Sequence, residues 1–298
     1  MLAVGVDWGG SNLRAFRFGP DGAVLEARSS PNGVTRLAGR SFESVLGALI
    51  ADWGAPPRIV LCGMVGGREG WLEAPYIPCP ADAGAVSSAM VPLETSLGPA
   101  WIVPGLSAVT SRGLADVMRG EETQVFGVVR PDAEALVVAP GTHSKWCRVR
   151  GGKITGFQTY MTGELFYILA SHSILARLMQ GQEHDADAFQ RGVALSQADP
   201  DLLGLLFSVR SEVLAGRIGP EAGSAYLSGL LIGAEVRAGL AQAQDVRDLQ
   251  ITLIASEELA RPYLAALTLV GAAPAGVIDG TTASARGLWR FACAGVHP

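Results

Sequence analysis

The chain is short of cysteine and histidine and has neither a basic run nor a long apolar one. Each shortage removes a class of function. Its 298 residues include four cysteines and four histidines. The cysteines are Cys62, Cys79, Cys147 and Cys293, with no C-x-x-C pair among them. Thiols scattered in this way read as buried and reduced rather than as a disulfide frame. The histidines are too dispersed for a zinc site, since His143 and His172 have no partner at ligand spacing. Lysine and arginine number 23 against 28 acidic residues, a formal net charge of −5. Without a basic patch the phosphate contacts that hold nucleic acid are missing, so no nucleic-acid partner is expected. The most apolar helical stretch, Tyr226–Leu240, is interrupted by Ser228, Glu235 and Arg237, which argues against a membrane span. The first apolar run ends at Asp7 with no charged leader, so it reads as a strand rather than a signal peptide. A cytoplasmic location is the expectation, and a homodimer is among the assemblies the sequence allows.

What is present suits a compact α/β protein. Hydrophobic residues make up 49% and charged residues 17%, and the length is enough for two ordinary domains. Val4–Phe18 reads VGVDWGGSNLRAFRF. A buried strand meets Asp7, then the small-residue turn Gly9-Gly10-Ser11-Asn12, and returns as a second strand carrying Arg14. An acid at a strand end can hold a hydrated Mg²⁺, and small turn residues let backbone N–H groups close around phosphate oxygens. The same Asp7 can also be a plain turn residue. Ala135–Val149, ALVVAPGTHSKWCRV, repeats the pattern. Its strand Ala135–Ala139 meets Gly141-Thr142-His143-Ser144-Lys145 and returns over Trp146–Val149. A glycine turn and a third strand follow in both copies, over Ala23–Ser29 and Lys153–Thr159. Two such units suggest duplicated domains, with a nucleotide phosphate chain held between their turns.

Between the copies, apolar spacing predicts a helix over 41–52 and a strand over Arg58–Cys62. The glycine-rich Gly63–Trp71 reads as an unpacked loop. Pro75, Pro78 and Pro80 make the next segment extended, and Trp101–Val103 is a short strand. Pro131–Glu134 is the polar linker, which places an N-terminal domain over 1–130 and a C-terminal one over 131–298. In the second half Thr162 is the expected N-cap of a helix over Gly163–Leu175. A helix over Tyr226–Leu240, a buried strand over Gln250–Ala255, and helices over Glu257–Leu269 and Thr282–Ala292 follow. Ser256 stands between that strand and its helix, where a helix N-terminus is presented to a ligand.

Phosphoryl transfer to an alcohol needs a metal, phosphate donors and one carboxylate to take the hydroxyl proton. Asp7 is the candidate for the metal. Thr142 and Ser144 offer hydroxyls, and Lys145 offers a point charge to phosphate, unless it is a surface lysine of its strand. Glu121 and Glu122 follow Gly120 at a helix start and are the candidate bases, although acids also favour a helix start for dipole reasons. Gly63 and Met64 belong to a candidate acceptor pocket. Arg68 or Arg119 suits a substrate carboxylate by bidentate pairing, with Arg68 also readable as an exposed loop charge. Glu164 can accept from sugar hydroxyls or simply complement its helix dipole. Besides a sugar-acid kinase, two other readings stand: an ATP-hydrolysing switch protein and a phosphohydrolase. Acceptor-dependent ADP release separates them.

Taken together, DWGGSNLRA, CGMVGGREGW, EAPYIPCPAD, DVMRGEETQ, PGTHSKW, YMTGELF and YLSGLLIGAE resemble the 2-dehydro-3-deoxygalactonokinase family, from the first strand to the last helix. That family is similar to the sugar kinase, Hsp70 and actin superfamily. The resemblance implies two duplicated ribonuclease-H-like domains with ATP and Mg²⁺ bound in a cleft between them. It further implies phosphorylation of a small-molecule sugar acid, 2-dehydro-3-deoxy-D-galactonate, at its 6-hydroxyl. By that resemblance Asp7–Arg14 matches the first phosphate motif and Pro140–Trp146 the second. Met118–Gln124 lies where the superfamily keeps its catalytic carboxylate, which suggests Glu121 or Glu122 without choosing between them. Thr162–Leu165 lies where related sugar kinases keep a sugar-binding glutamate. One departure is visible: the adenosine-motif strand ends Ile254-Ala255-Ser256-Glu257 instead of in a glycine pair.

Overall fold

The computed structural model describes residues 3–179, 185–242 and 250–294. His184 and His297 therefore lie outside the described residues. The strands of the first half are β1 (Ala3–Trp8), β2 (Leu13–Phe18), β3 (Val24–Ser30), β4 (Ile59–Cys62), β5 (Tyr76–Pro78), β6 (Val91–Leu93), β7 (Ala100–Ile102), β8 (Gly105–Val109) and β9 (Ala115–Met118). Those of the second half are β10 (Ala135–Ala139), β11 (Ser144–Arg150), β12 (Lys153–Tyr160), β13 (Gln250–Ile254) and β14 (Gly276–Ile278). Six of the first set form a sheet in the order β3-β2-β1-β4-β7-β6, and the second set forms one in the order β12-β11-β10-β13-β14. Position by position, β3-β2-β1-β4-β7 and β12-β11-β10-β13-β14 are the same order. This is the duplicated ribonuclease-H-like α/β arrangement that the resemblance implied.

The order explains the composition of the central strands. β1 pairs antiparallel with β2 and parallel with β4, so it has neighbours on both edges. Val4, Val6 and Trp8 point to one core with Ile59, Leu61 and Ile102. On the other face Gly5 lies against Leu288. A strand covered on both faces has no solvent side, so it reads as continuous apolar residues rather than an alternation. β10 is buried at all five positions for the same reason. β3, at the sheet edge, is partly exposed and keeps Glu26 and Arg28.

The helices are α1 (Phe42–Leu49), α2 (Ala83–Ser88), α3 (Glu121–Val128), α4 (Thr162–His172), α5 (Ala186–Ala198), α6 (Leu202–Leu206), α7 (Ser208–Leu214), α8 (Gly223–Gln242), α9 (Glu257–Leu269) and α10 (Gly280–Cys293). Ser41 caps α1 through its side chain, and Asp279 caps α10, which begins at Gly280, two residues before the expected start. Among the described residues no helix is long and apolar enough to cross a membrane. The chain divides into two compact units. One comprises Met1–Ala135, Cys147–Phe157 and Ile278–Pro298, the other Leu136–Trp146 and Gln158–Val277.

Several local expectations are corrected. α4 begins at Thr162 and is preceded by Met161, which makes no side-chain cap bond. The Thr162 hydroxyl is used elsewhere, by the buried Glu235. Gly63–Trp71 is not an unpacked loop. Met64–Gly66 forms a tight turn, Val65 is fully buried, and the Trp71 N–H donates to Val65 O at 2.8 Å. Glycine here serves close packing, a use that composition alone does not distinguish from flexibility. The extended segment after it became β5, which joins β8 and β9 in a three-stranded sheet absent from the sequence reading. Among the described residues no disulfide forms: Cys62 and Cys147 are buried, Cys79 half-buried and Cys293 exposed.

Candidate active site

The first turn is built by backbone bonds and leaves its side chains outside. The Gly9 N–H donates to Asn12 O at 2.9 Å, closing the turn. Gly10 O accepts from the Thr35 N–H at 3.1 Å and from Thr35 Oγ1 at 2.8 Å. Ser11 and Asn12 are exposed. Asp7 sits one residue before the end of β1, in register with Arg14 on β2 and Cys62 on β4. Its Oδ2 accepts from Ser284 Oγ at 2.9 Å and from Arg14 Nη1 at 3.5 Å. Burial pushes the Asp7 carboxyl above the usual range, the Ser284 bond and the Arg14 charge pull it down, and the Glu121 charge raises it again. The anion at this strand end is therefore under-compensated by its protein partners.

Ser284 comes from α10 and is itself buried. Gln124 Nε2 of α3 donates to its Oγ at 3.2 Å, so one serine ties two helices to the strand-end acid. The helices approach closely because position 287 is glycine: a Cβ there would fall 1.9 Å from Thr123 O.

The two adjacent glutamates have unequal surroundings. Gly120 adopts φ +107 ahead of α3, a left-handed conformation open to glycine, and passes against Gly63. Glu121 is partly exposed, and its Oε2 accepts from the Arg119 N–H at 3.1 Å. Its charge is felt by both Asp7 and Glu122. Glu122 is fully buried. It accepts from the Gly120 N–H at 2.6 Å and from Thr123 Oγ1 at 2.9 Å. Burial and then the Glu121 charge push its carboxyl up to about 8, against those two bonds. The Cys62 thiol is also raised, by burial and then by Asp7 and Glu122.

Of the acceptor-side candidates, Gly63 is buried and Met64 is exposed, so only the latter offers a side chain to solvent. Arg68 is exposed and pairs with Glu73 at 3.6 Å. Arg119 is buried, whereas Arg68 is exposed. Its Nη2 donates to Ala74 O at 2.8 Å, and the guanidinium stacks 4.3 Å from the centre of the Tyr76 ring. Its Nε and Nη1 are buried without a hydrogen-bond partner among the described residues. Arg119 thus holds the Gly63–Tyr76 segment from inside.

The second turn is held by side chains and by α4. Thr142 O accepts from the Glu164 N–H at 3.0 Å. Gly163 permits this approach, since a Cβ there would lie 2.4 Å from Gly141 O. His143 Nε2 bonds Glu164 Oε2, so Glu164 is engaged by the turn itself. Ser144 is fully buried, with Oγ 2.9 Å from Tyr263 Oη. Its hydroxyl faces the interior, contrary to the expectation that it stands ready for a ligand. Lys145 is buried rather than a surface residue of its strand, and its Nζ donates to His143 O at 3.2 Å. Ser256 caps α9, accepting from the Leu259 N–H at 3.4 Å. Glu257 and Glu258 occupy the first turn of that helix. Their charge opposes the capture of an anion there.

Sequence reasoning missed Ser284, Gln124, Glu235 and Tyr263. Two signals pointed to the first and third. Thr282-Ala283-Ser284-Ala285 is a run of small residues on a terminal helix, the mark of a closely packed face. Glu235 is a lone acid after Gly229–Ala234 in the longest apolar helix. Among the described residues no group of three or more His, Cys, Asp or Glu is arranged to hold a metal ion unaided.

A family model described as 2-keto-3-deoxy-galactonokinase matches residues 7–291. The chain is 39% identical over 271 residues to 2-dehydro-3-deoxygalactonokinase of Escherichia coli (strain K12), covering 90% of each chain. A solved structure of a candidate 2-dehydro-3-deoxygalactonokinase protein from Sinorhizobium meliloti superposes with a TM-score of 0.90 at 36% identity, covering 98% of both chains. The activator of the 2-hydroxyisocaproyl-CoA dehydratase from Clostridium difficile, solved with bound ADPNP, gives a TM-score of 0.52 at 11% identity over 98% of this chain and 95% of that one. That more distant likeness concerns the fold alone.

Proposed function

The chain belongs to the 2-keto-3-deoxy-galactonokinase family, a family of carbohydrate kinases, and from that premise we propose that it transfers the γ-phosphoryl group of ATP to the 6-hydroxyl of 2-dehydro-3-deoxy-D-galactonate, a step of galactonate catabolism. The observation that carries the mechanism is the unequal placement of two adjacent carboxylates beside Asp7. Glu121 is partly exposed and Glu122 is not. A base must reach the hydroxyl it deprotonates. Glu121 meets that requirement and is the proposed base. Glu122 keeps its proton until about pH 8 and holds the Gly120 N–H, so its part is to set the start of α3.

Asp7 fits a Mg²⁺ ion. Its half-buried charge is only partly met by Ser284 and Arg14, and Mg²⁺ commonly takes one or two carboxylates together with phosphate oxygens. When bound, the ion would neutralise charge on the phosphate chain. Gly9, Gly10, Ser11 and Asn12 offer turn N–H groups and side chains to phosphate, with Arg14 supplying positive charge. Gly141, Thr142, His143 and Lys145 do the same in the second turn. Arg68, which solvent reaches, is the proposed partner of the acceptor carboxylate. Arg119 and Glu164 shape the segments beside them.

Coupled ADP release tests this. Purified protein with ATP and Mg²⁺ should release ADP when 2-dehydro-3-deoxy-D-galactonate is added, and NMR should place the new phosphate on C6. Equal ADP release with and without the acid supports the hydrolase reading instead. Preference for the gluconate-derived epimer overturns the choice of acceptor.

A further inference from the structure

The interior beneath the second turn contains a carboxylate that the transfer step does not use. Glu235 lies in the middle of α8 and is only 3% exposed. Its Oε1 accepts from Trp146 Nε1 at 2.8 Å, and its Oε2 accepts from Tyr263 Oη at 2.7 Å. The Thr162 hydroxyl is a third partner. Tyr263 Oη is in turn 2.9 Å from Ser144 Oγ. Gly239, one helical turn beyond Glu235, makes room for the indole, because a Cβ there would fall 2.4 Å from the Trp146 ring.

These bonds end on the two segments that shape the turn. Ser144 lies in the turn where β11 begins, and Trp146 follows the turn directly. Thr162 opens α4, and the next residue, Gly163, abuts Gly141. The bonds also have a direction. A phenol carries one proton, and Tyr263 gives it to Glu235. The Ser144 hydroxyl must then donate to the Tyr263 oxygen, so the chain runs from Ser144 to Tyr263 to Glu235. A carboxylate this deep is costly unless donors surround it, and a network satisfied in this way rigidifies what it touches. Burial does push the Glu235 carboxyl up, and bonds from Thr162, Trp146 and Tyr263 oppose that shift, with the nearby Ser144 hydroxyl adding least.

We propose that Glu235 is the positioning residue of the second turn, ordering Gly141–Lys145 for phosphate through Trp146, Thr162 and the Tyr263–Ser144 chain without touching the nucleotide. This rests on the reading that the turn holds phosphate oxygens.

The test uses the full chain. Glu235→Gln keeps the shape but replaces one acceptor with a donor. Trp146 Nε1 can only donate, so the amide carbonyl must face it and the NH₂ must face Tyr263. The phenol proton then turns to Ser144, and the chain reverses. Tyr263→Phe cuts the same chain and keeps the ring. Thr142→Glu places a negative charge on the exposed turn itself and is the control for the phosphate reading. Calorimetric binding of a non-hydrolysable ATP analogue, KM for each substrate and thermal melting are measured for all three.

Glu235→Gln and Tyr263→Phe should each weaken analogue binding and raise KM for ATP about tenfold, with KM for the sugar acid unchanged. The double variant should be no worse than the weaker single one, because both act on one chain. Thr142→Glu should weaken binding further. If Thr142→Glu weakens binding while both network variants bind like wild type, Glu235 does not position the turn. A parallel rise in both KM values with lowered melting means a general structural role and also overturns the proposal. Normal binding by Thr142→Glu overturns the phosphate reading, and the proposal with it.

Discussion

The two polar turns follow equivalent strands of equivalent sheets, yet they are built in opposite ways. Gly9–Asn12 is tied by backbone bonds and exposes its side chains, and the acid, Asp7, lies on the strand before it. Gly141–Lys145 is tied by side chains, with Ser144 and Lys145 drawn into the interior and Glu164 closing over it from α4. Where the first repeat has a strand-end acid, the second has the apolar Ala135–Ala139 and a buried lysine at the end of its turn. Duplication kept the scaffold and divided the charge. The comparison teaches that a repeat in strand order does not make a repeat in chemistry: an acid, Asp7, stands on the strand before the first turn, and a buried lysine, Lys145, ends the second.

The largest break in that division is Asp7→Asn. It keeps the shape and removes the charge, and kcat should fall about a thousandfold, roughly 4 kcal/mol of transition-state stabilisation, with the fold intact. A kcat within threefold of wild type would leave Asp7 a turn residue only. Next comes the pair at α3. Glu121→Gln should lower kcat about a hundredfold at unchanged KM for ATP, and Glu122→Gln far less. The reverse ranking assigns the base to the buried acid.

Gly163→Ala probes the second turn. Its Cβ has no space beside Gly141 O, so unfolding in denaturant should show a loss of about 1–3 kcal/mol together with a raised KM for ATP. An unchanged midpoint means α4 shifts freely and does not clamp the turn. Ser284→Ala is the finer probe of the first. Asp7 loses its shortest side-chain bond, and kcat should fall about fivefold with melting little changed. No change in kcat removes Ser284 from the site.

The smallest effect is in pH dependence. The Glu122 carboxyl titrates near 4.5 when unfolded and near 8 when folded. An acid raised by folding holds its proton more tightly in the native state. Its contribution is therefore full below about 4.5 and is lost as pH rises through about 8. Relative to Glu122→Gln, the wild type should lose stability between those limits in denaturant titrations. Parallel pH profiles for the two proteins overturn the assignment of that raised value to Glu122.

The opening strands of each half were legible because their evidence is local. A fully apolar run before Asp7, or before Pro140, is what a strand covered on both faces requires, and the glycine turns after it mark where the chain reverses. The family resemblance was legible for the same reason, from motifs spread over the whole chain. Gly63–Trp71 was misread because glycine means freedom in one setting and close packing in another, and only the neighbours decide. Thr162 was read as a cap on its local pattern, but Glu235, 73 positions along the sequence, had the stronger claim on its hydroxyl.

By itself the sequence determined the paired opening strands of each half, the two turns and the pair of acids at the start of α3, since these follow from apolar periodicity and turn chemistry within short windows. Which acid stays wet, which serine faces inward and which lysine is buried were decided only by tertiary structure. Burial is a property of what packs against a residue. Glu121 and Glu122 are the same amino acid in adjacent positions, and only the neighbours brought by the fold give one a proton until about pH 8 and leave the other partly exposed.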